Sequence, residues 1–103
     1  MNIVKPLMNK TVGVKNDTDK NRLDLIEPEF IEKVGEVLTF GANKYAPNNW
    51  QGVEDAEDRY YAAAMRHLLA WRKGEKLDEE SGINHLAHVA TNMMFLLHFE
   101  EEK

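Results

Sequence analysis

The chain has 103 residues, 43% of them hydrophobic and 30% charged, with a formal net charge of −5. That length supports one domain with one modest core, and the acidic balance argues against gripping long nucleic acid, which demands phosphate neutralisation. No run approaches the ~20 apolar residues of a membrane span, and the absence of cysteine excludes disulfides, zinc–thiolate sites and thiol catalysis.

The opening MNIVKPLMNK has no long apolar core and no small-residue cleavage site, so no secretory signal is expected and the expected location is cytoplasmic. Residues 1–27 show neither a helical nor a strand period. With Pro6, Gly13 and the polar run from Lys15 to Arg22 they read as an extended arm. Pro28 suits the first turn of a helix, where its missing N–H is not needed. Phe30, Ile31, Val34, Val37, Leu38 and Gly41 then recur at three- and four-residue spacing, which predicts a helix over 28–44. Residues 46–52 break the pattern as a loop. A second helix is predicted over 56–73, with Tyr60, Ala63, Ala64, Leu68 and Trp71 as its apolar stripe and Gly74 as its stop. A third is predicted over 79–101, capped by Asp78 or Ser81, with Ile83, Leu86, Val89, Ala90, Met93, Met94 and Leu97 facing the core. No segment alternates as a strand would. The expected fold is all-α: a single domain over 1–103, the arm followed by a small antiparallel bundle of three main helices over 28–103. Three helices of this size leave apolar surface over, so a homo-oligomer is expected.

His85, His88 and Asn92 stand at i, i+3 and i+7, hence on one face of the third helix, beside its apolar stripe. His67, preceded by Arg66, lies on the second helix, which an antiparallel arrangement brings opposite. Imidazoles on facing helices, with a carboxylate, can ligate a divalent metal; the alternative is that they are polar residues tying the helices together. His98, among the terminal glutamates, reads as structural. Glu29, Glu32 and Glu36 line one face of the first helix and suit a hard cation bridging to phosphates; the alternative is a solvated face partnered by Lys33. A formal E-x-x-E and E-x-x-D match, Glu54 with Glu57 and Glu75 with Asp78, carries little weight, because the second pair follows Gly74 into a turn.

The loop from Phe40 to Trp50 mixes aromatics, amides and one cation. Tyr45 and Trp50 can stack on a base, Asn48 and Asn49 can read its edge, and Lys44 can meet a phosphate. The alternative is a structural loop whose aromatics plug the core. Lys20 and Arg22 in the arm are weaker phosphate candidates. No glycine-rich phosphate loop of the usual nucleotide folds is present.

Taken in order, the strings Lys20–Glu29, Val37–Tyr45, Asn48–Trp50, Arg66–Trp71 with Gly74-Glu75, Glu80–Gly82 and His85–His88 with Asn92 resemble a largely phage-borne family, the dATP/dGTP diphosphohydrolase N-terminal domain. The resemblance covers about residues 12–97. It implies release of pyrophosphate from a purine (deoxy)nucleoside triphosphate, leaving the monophosphate, in a bacterial host's cytoplasm if the chain is phage-encoded. A looser similarity is to the all-α, MazG-type pyrophosphatases, which are oligomeric, magnesium-dependent and use helix-borne carboxylate pairs. Aligned by the last helix, His85-Leu86-Ala87-His88 falls where those enzymes carry E-x-x-D.

The resulting expectation is a nucleotide pyrophosphohydrolase. A divalent metal, magnesium or manganese, would be held by His67, His85 and His88 with Glu36, these four being also the catalytic set. Imidazole ligands favour manganese, iron, nickel or zinc over magnesium. Lys20, Arg22, Lys44 and Arg66 would hold phosphates; Tyr45, Asn48, Asn49, Trp50 and Asn92 would hold the rest of a small-molecule nucleotide. No long nucleic acid and no membrane is expected as a partner. The alternatives are a non-catalytic phage protein that sequesters a nucleotide or a nucleotide-derived immune signal, and a helical interaction module with no ligand.

Overall fold

The computed structural model describes residues 12–102. The first part of the expected arm, residues 1–11, lies outside them. Residues 12–32 are exposed throughout, and among the described residues the only regular structure before residue 28 is a 3₁₀ turn at Leu23–Leu25.

Helix α1 spans Pro28–Lys44, α2 spans Ala56–Arg72 and α3 spans His85–Glu101. Among the described residues there is no strand, only an isolated bridge between Leu77 and Asn84. No described helix is long and apolar enough to cross a membrane. Pro28 occupies the first turn of α1. α2 closes in a Schellman turn: Gly74 adopts φ +107°, its N–H donates to the Trp71 carbonyl, and the Glu75 N–H donates to the Ala70 carbonyl. A short 3₁₀ helix, Asn49–Gly52, bridges α1 and α2.

The third helix starts at His85, six residues later than its predicted start at 79. Asp78 does cap a turn, but of a loop: its carboxylate accepts from the Ser81 N–H, and its carbonyl accepts from the Gly82 N–H. Gly82 takes φ +74°, which ends any helical path there, and Asn84 supplies the actual N-cap, accepting from the Leu86 N–H. Ile83 therefore belongs to the loop.

Packing runs mainly between α2 and α3, with α1 laid against α3. His67 on the later half of α2 meets the start of α3, whereas Tyr60 on its earlier half meets Phe95 and Phe99 near the end of α3, so the two helices are antiparallel. Trp50 anchors the connecting loop by stacking on Phe95 at 4.5 Å and meeting His98 and Phe99 edge-on.

The face of α3 expected to form the core points outward: Leu86, Met93 and Leu97 are 41%, 46% and 57% exposed. The buried residues of α3 are His85, Ala87, His88, Thr91 and Asn92. Leu68 of the predicted α2 stripe is also exposed, as are Phe30 and Ile31 in the first turns of α1. Among the described residues the buried apolar set is Val37, Ala56, Ala64 and Ala87, most of them small.

Candidate functional site

Because α1 and α2 each lean on α3 more than on one another, a cleft of about 1200 Å³ opens between them. Its floor is the polar face of α3, with His88, Thr91 and Asn92. Arg59, Ala63, Arg66 and His67 of α2 form one wall, and the end of α1 with the following loop forms the other.

A histidine–carboxylate cluster sits at the end of this cleft where α2 stops and α3 begins. His67 Nδ1 and His85 Nδ1 lie 2.8 Å apart, and His85 Nε2 meets Glu75 Oε2 at 2.6 Å. Glu75 is an acceptor, so His85 donates its Nε2–H there. The Nδ1–Nδ1 contact between His67 and His85 is a hydrogen bond with one proton between the two rings. The His67 and His88 rings stack 4.4 Å apart. Asp78 lies beside both, Oδ1 4.0 Å from His67 Nδ1 and Oδ2 3.8 Å from His88 Nε2. The Ser81 hydroxyl joins them, 2.9 Å from Asp78 Oδ2 and 2.7 Å from His88 Nε2.

Electrostatics follows from burial. Desolvation, reinforced by the neighbouring His88, pushes the His67 pKa down to about 4, and desolvation lowers that of His88 too. Both imidazoles are thus neutral near pH 7, the form in which a ring nitrogen can bind a metal. Burial raises the Asp78 pKa, but hydrogen bonds from the Ser81 N–H and hydroxyl outweigh it and leave the carboxyl below its ordinary range. His67, Asp78 and His85 bring one ligand atom each to within 4.8 Å of one another. Two imidazole nitrogens and a carboxylate oxygen fit manganese, iron, nickel or zinc better than magnesium, which prefers oxygen.

Of the residues predicted from sequence, the structure brings His67, His85 and His88 together. Glu36 is elsewhere, on the outer side of α1 with Glu32 and Thr39, paired with Lys33 at 3.4 Å. Asp78 and Glu75 supply the carboxylates at the cluster. Arg66 and Asn92 line the cleft; the Asn92 amide donates to the His88 carbonyl. Lys44, Tyr45, Asn48, Asn49 and Trp50 border it as well. Lys44 is ion-paired with Glu80, tying the end of α1 to the loop before α3. Trp50 has its ring committed to Phe95, and its carbonyl accepts from the Tyr60 hydroxyl. Tyr45 is 64% exposed and carries the Lys44 ammonium 5.2 Å from its ring centre. Asn48 holds a left-handed turn at φ 63°. Lys20 and Arg22 are exposed outside the cleft, Arg22 forming a two-bond pair with Asp24. His98 packs against Trp50 and faces Glu102 at 3.4 Å.

Sequence reasoning missed three participants. Glu75 and Asp78 follow Gly74 into a turn, which in sequence counts against a paired-carboxylate site, although that turn is what aims them at the histidines. Arg59 stands seven residues before Arg66, two helical turns along one flank of α2; that spacing was the available signal. Neither arginine has an ion-pair partner among the described residues.

The sequence is 42% identical over 84 residues to a protein of Salmonella phage PMBT28 named dATP/dGTP diphosphohydrolase. The match covers 82% of this chain and 28% of that protein, so the chain spans less than a third of its relative's length. No solved structure matches. The profile described as dATP/dGTP diphosphohydrolase, N-terminal, matches residues 10–103, and the chain belongs to that family.

Proposed function

We propose that the cleft binds a purine deoxynucleoside triphosphate and that the histidine–carboxylate end of it, with a divalent metal, directs hydrolysis to monophosphate and pyrophosphate. The observation that carries this reading is the pairing of two features in one cleft: Arg59 and Arg66, without an ion-pair partner among the described residues, along one wall, and His67, Asp78 and His88 at its end. A volume of about 1200 Å³ is ample, since small-molecule pockets run roughly 300–1,000 Å³. The purine and the reaction class rest on the family description and on the relative's name.

His67, His85 and Asp78 would hold the metal. Bound there, a divalent ion supplies Lewis acidity toward a phosphate oxygen and lowers the pKa of a bound water. Glu75 fixes the His85 ring through its Nε2–H, as carboxylates behind metal-binding histidines do. Arg59 and Arg66 present guanidinium forks suited to phosphate oxygens. The Ser81 hydroxyl donates to the ionised Asp78 and accepts from His88 Nε2–H, which fixes both side chains at the cleft end. The Lys44–Glu80 pair ties the end of α1 to the loop before α3, and the exposed Tyr45 is the aromatic offered to a base.

The test is product analysis. The chain is incubated with dATP, dGTP, dCTP and dTTP, each with Mn²⁺ or Mg²⁺, and the products are separated by anion exchange. The expected result is purine monophosphate with pyrophosphate, faster with Mn²⁺. Nucleotide returned intact under every condition overturns hydrolysis, and release of nucleoside with tripolyphosphate overturns the site of cleavage.

A further inference from the structure

The outward face of α3 has no partner among the described residues. Residues 81–99 contain no Asp, Glu, Lys or Arg, in a sequence that is 30% charged. A helix turned to water for its whole length would carry charge on that side. Here Leu86, Val89, Ala90, Met93 and Leu97 recur at three- and four-residue spacing on the side opposite the buried His88, Thr91 and Asn92. The flank of α2 that faces away from the cleft continues this surface with Tyr61, Met65 and Leu68, which are 59%, 38% and 39% exposed.

We propose that this α2–α3 face is the interface with a second copy of the chain, packed about a two-fold axis with the two α3 helices antiparallel. Three observations select that occupant. The first is area. The exposed fractions of Leu86, Met93, Leu97, Tyr61, Met65 and Leu68 amount to roughly 600 Å² of surface, close to the ~800 Å² that each partner of a standard interface contributes. The second is self-complementarity. Reversed on itself, the stripe sets Leu86 against the far-end Leu97 and places small Ala90 beside Met93 at the centre, so two backbones can approach; an isologous contact requires this. The third is the poverty of the interior. With Val37 and three alanines as its buried apolar residues, the described chain needs a further apolar layer. The arrangement leaves the cleft open on the opposite side of α3 and is independent of the chemistry proposed for it.

The test uses the absence of native cysteine. Analytical ultracentrifugation of the unmodified chain at tens of micromolar should give twice the 11.9 kDa chain mass, and Met93→Glu should shift it to the monomer. Because that variant can fail to fold alone, single-cysteine variants give a second readout. Met93→Cys should be joined by a short bis-maleimide at least tenfold faster than Glu32→Cys, on the outer side of α1. A monomeric unmodified chain, a folded Met93→Glu variant that stays dimeric, or equal cross-linking of the two cysteines would each overturn the proposal.

Discussion

The inward face of α3 carries His85, His88, Thr91 and Asn92, all buried; the outward face carries Leu86, Met93 and Leu97, all at least 41% exposed. In a helix that only supports a monomeric core these faces would be exchanged, because burying imidazole and amide groups costs free energy that burying leucine would supply. Nearly every inward polar group has a partner: His85 with Glu75, His88 with Ser81, the Thr91 hydroxyl with the Ala87 carbonyl, the Asn92 amide with the His88 carbonyl. Groups matched this closely form a specified arrangement, and three of them, His88, Thr91 and Asn92, floor a cleft whose α2 wall carries Arg59 and Arg66. The comparison teaches that α3 divides its labour. Its inward side holds the buried polar cluster for which the chemistry is proposed and its outward side holds the apolar area, so the two can be perturbed separately.

The largest expected effect comes from the inward side. Asp78→Asn keeps an acceptor for the Ser81 N–H but removes the charge; metal-dependent turnover should fall by roughly 100-fold or more while the melting temperature moves little. Turnover within threefold of the unmodified chain would break the assignment. Glu75→Gln, one step further back, should weaken metal binding by roughly tenfold, because it only orients His85. Next, Arg59→Ala and Arg66→Ala should each weaken triphosphate binding by roughly tenfold and leave nucleoside binding unchanged. Equal losses for charged and uncharged ligands would mean that the arginines shape the cleft without gripping phosphate.

How far these residues were legible before the structure depends on what fixes each one. α1 and α2 have local punctuation, Pro28 at one start and Gly74 at one stop, and their predicted spans agree with the observed ones to within a residue. The start of α3 has misleading punctuation, since Asp78 and Ser81 are good caps; only the positive φ of Gly82 shows that they close a loop. The histidines were legible from i, i+3 spacing, a property of one helix. Asp78 and Glu75 were not, because a Schellman turn and a bridged loop aim them, and neither leaves a periodic trace. The apolar stripe of α3 was found correctly but assigned to the interior, since periodicity locates a face without saying what covers it. Glu36 illustrates the converse: a carboxylate stripe on α1 is legible as a pattern, yet in the fold it is a solvated face paired with Lys33.

Acid should separate the two sides as well. The folded His67 pKa is about 4, below the ordinary 6.5, so between those values the unfolded chain takes up a proton that the folded chain refuses. Stability is therefore full above about pH 6.5 and declines as the pH falls toward 4. The measurement is urea unfolding at a series of pH values. His67→Gln should flatten the slope, and a slope unchanged by that variant would place the acid sensitivity elsewhere. The smallest effect is expected in the arm. Arg22 is exposed, already paired with Asp24 and outside the cleft, so Lys20→Ala with Arg22→Ala should leave the urea midpoint unchanged within experimental error.

The most direct test of the buried polar face is a manganese titration followed by electron paramagnetic resonance. The free Mn²⁺ signal is read against chain concentration for the unmodified protein, Asp78→Asn and Glu36→Gln. The account predicts one ion taken up per chain by the unmodified protein and by Glu36→Gln, with uptake lost or weakened at least tenfold in Asp78→Asn. No uptake by the unmodified chain, or uptake that survives in Asp78→Asn and disappears in Glu36→Gln, would contradict it.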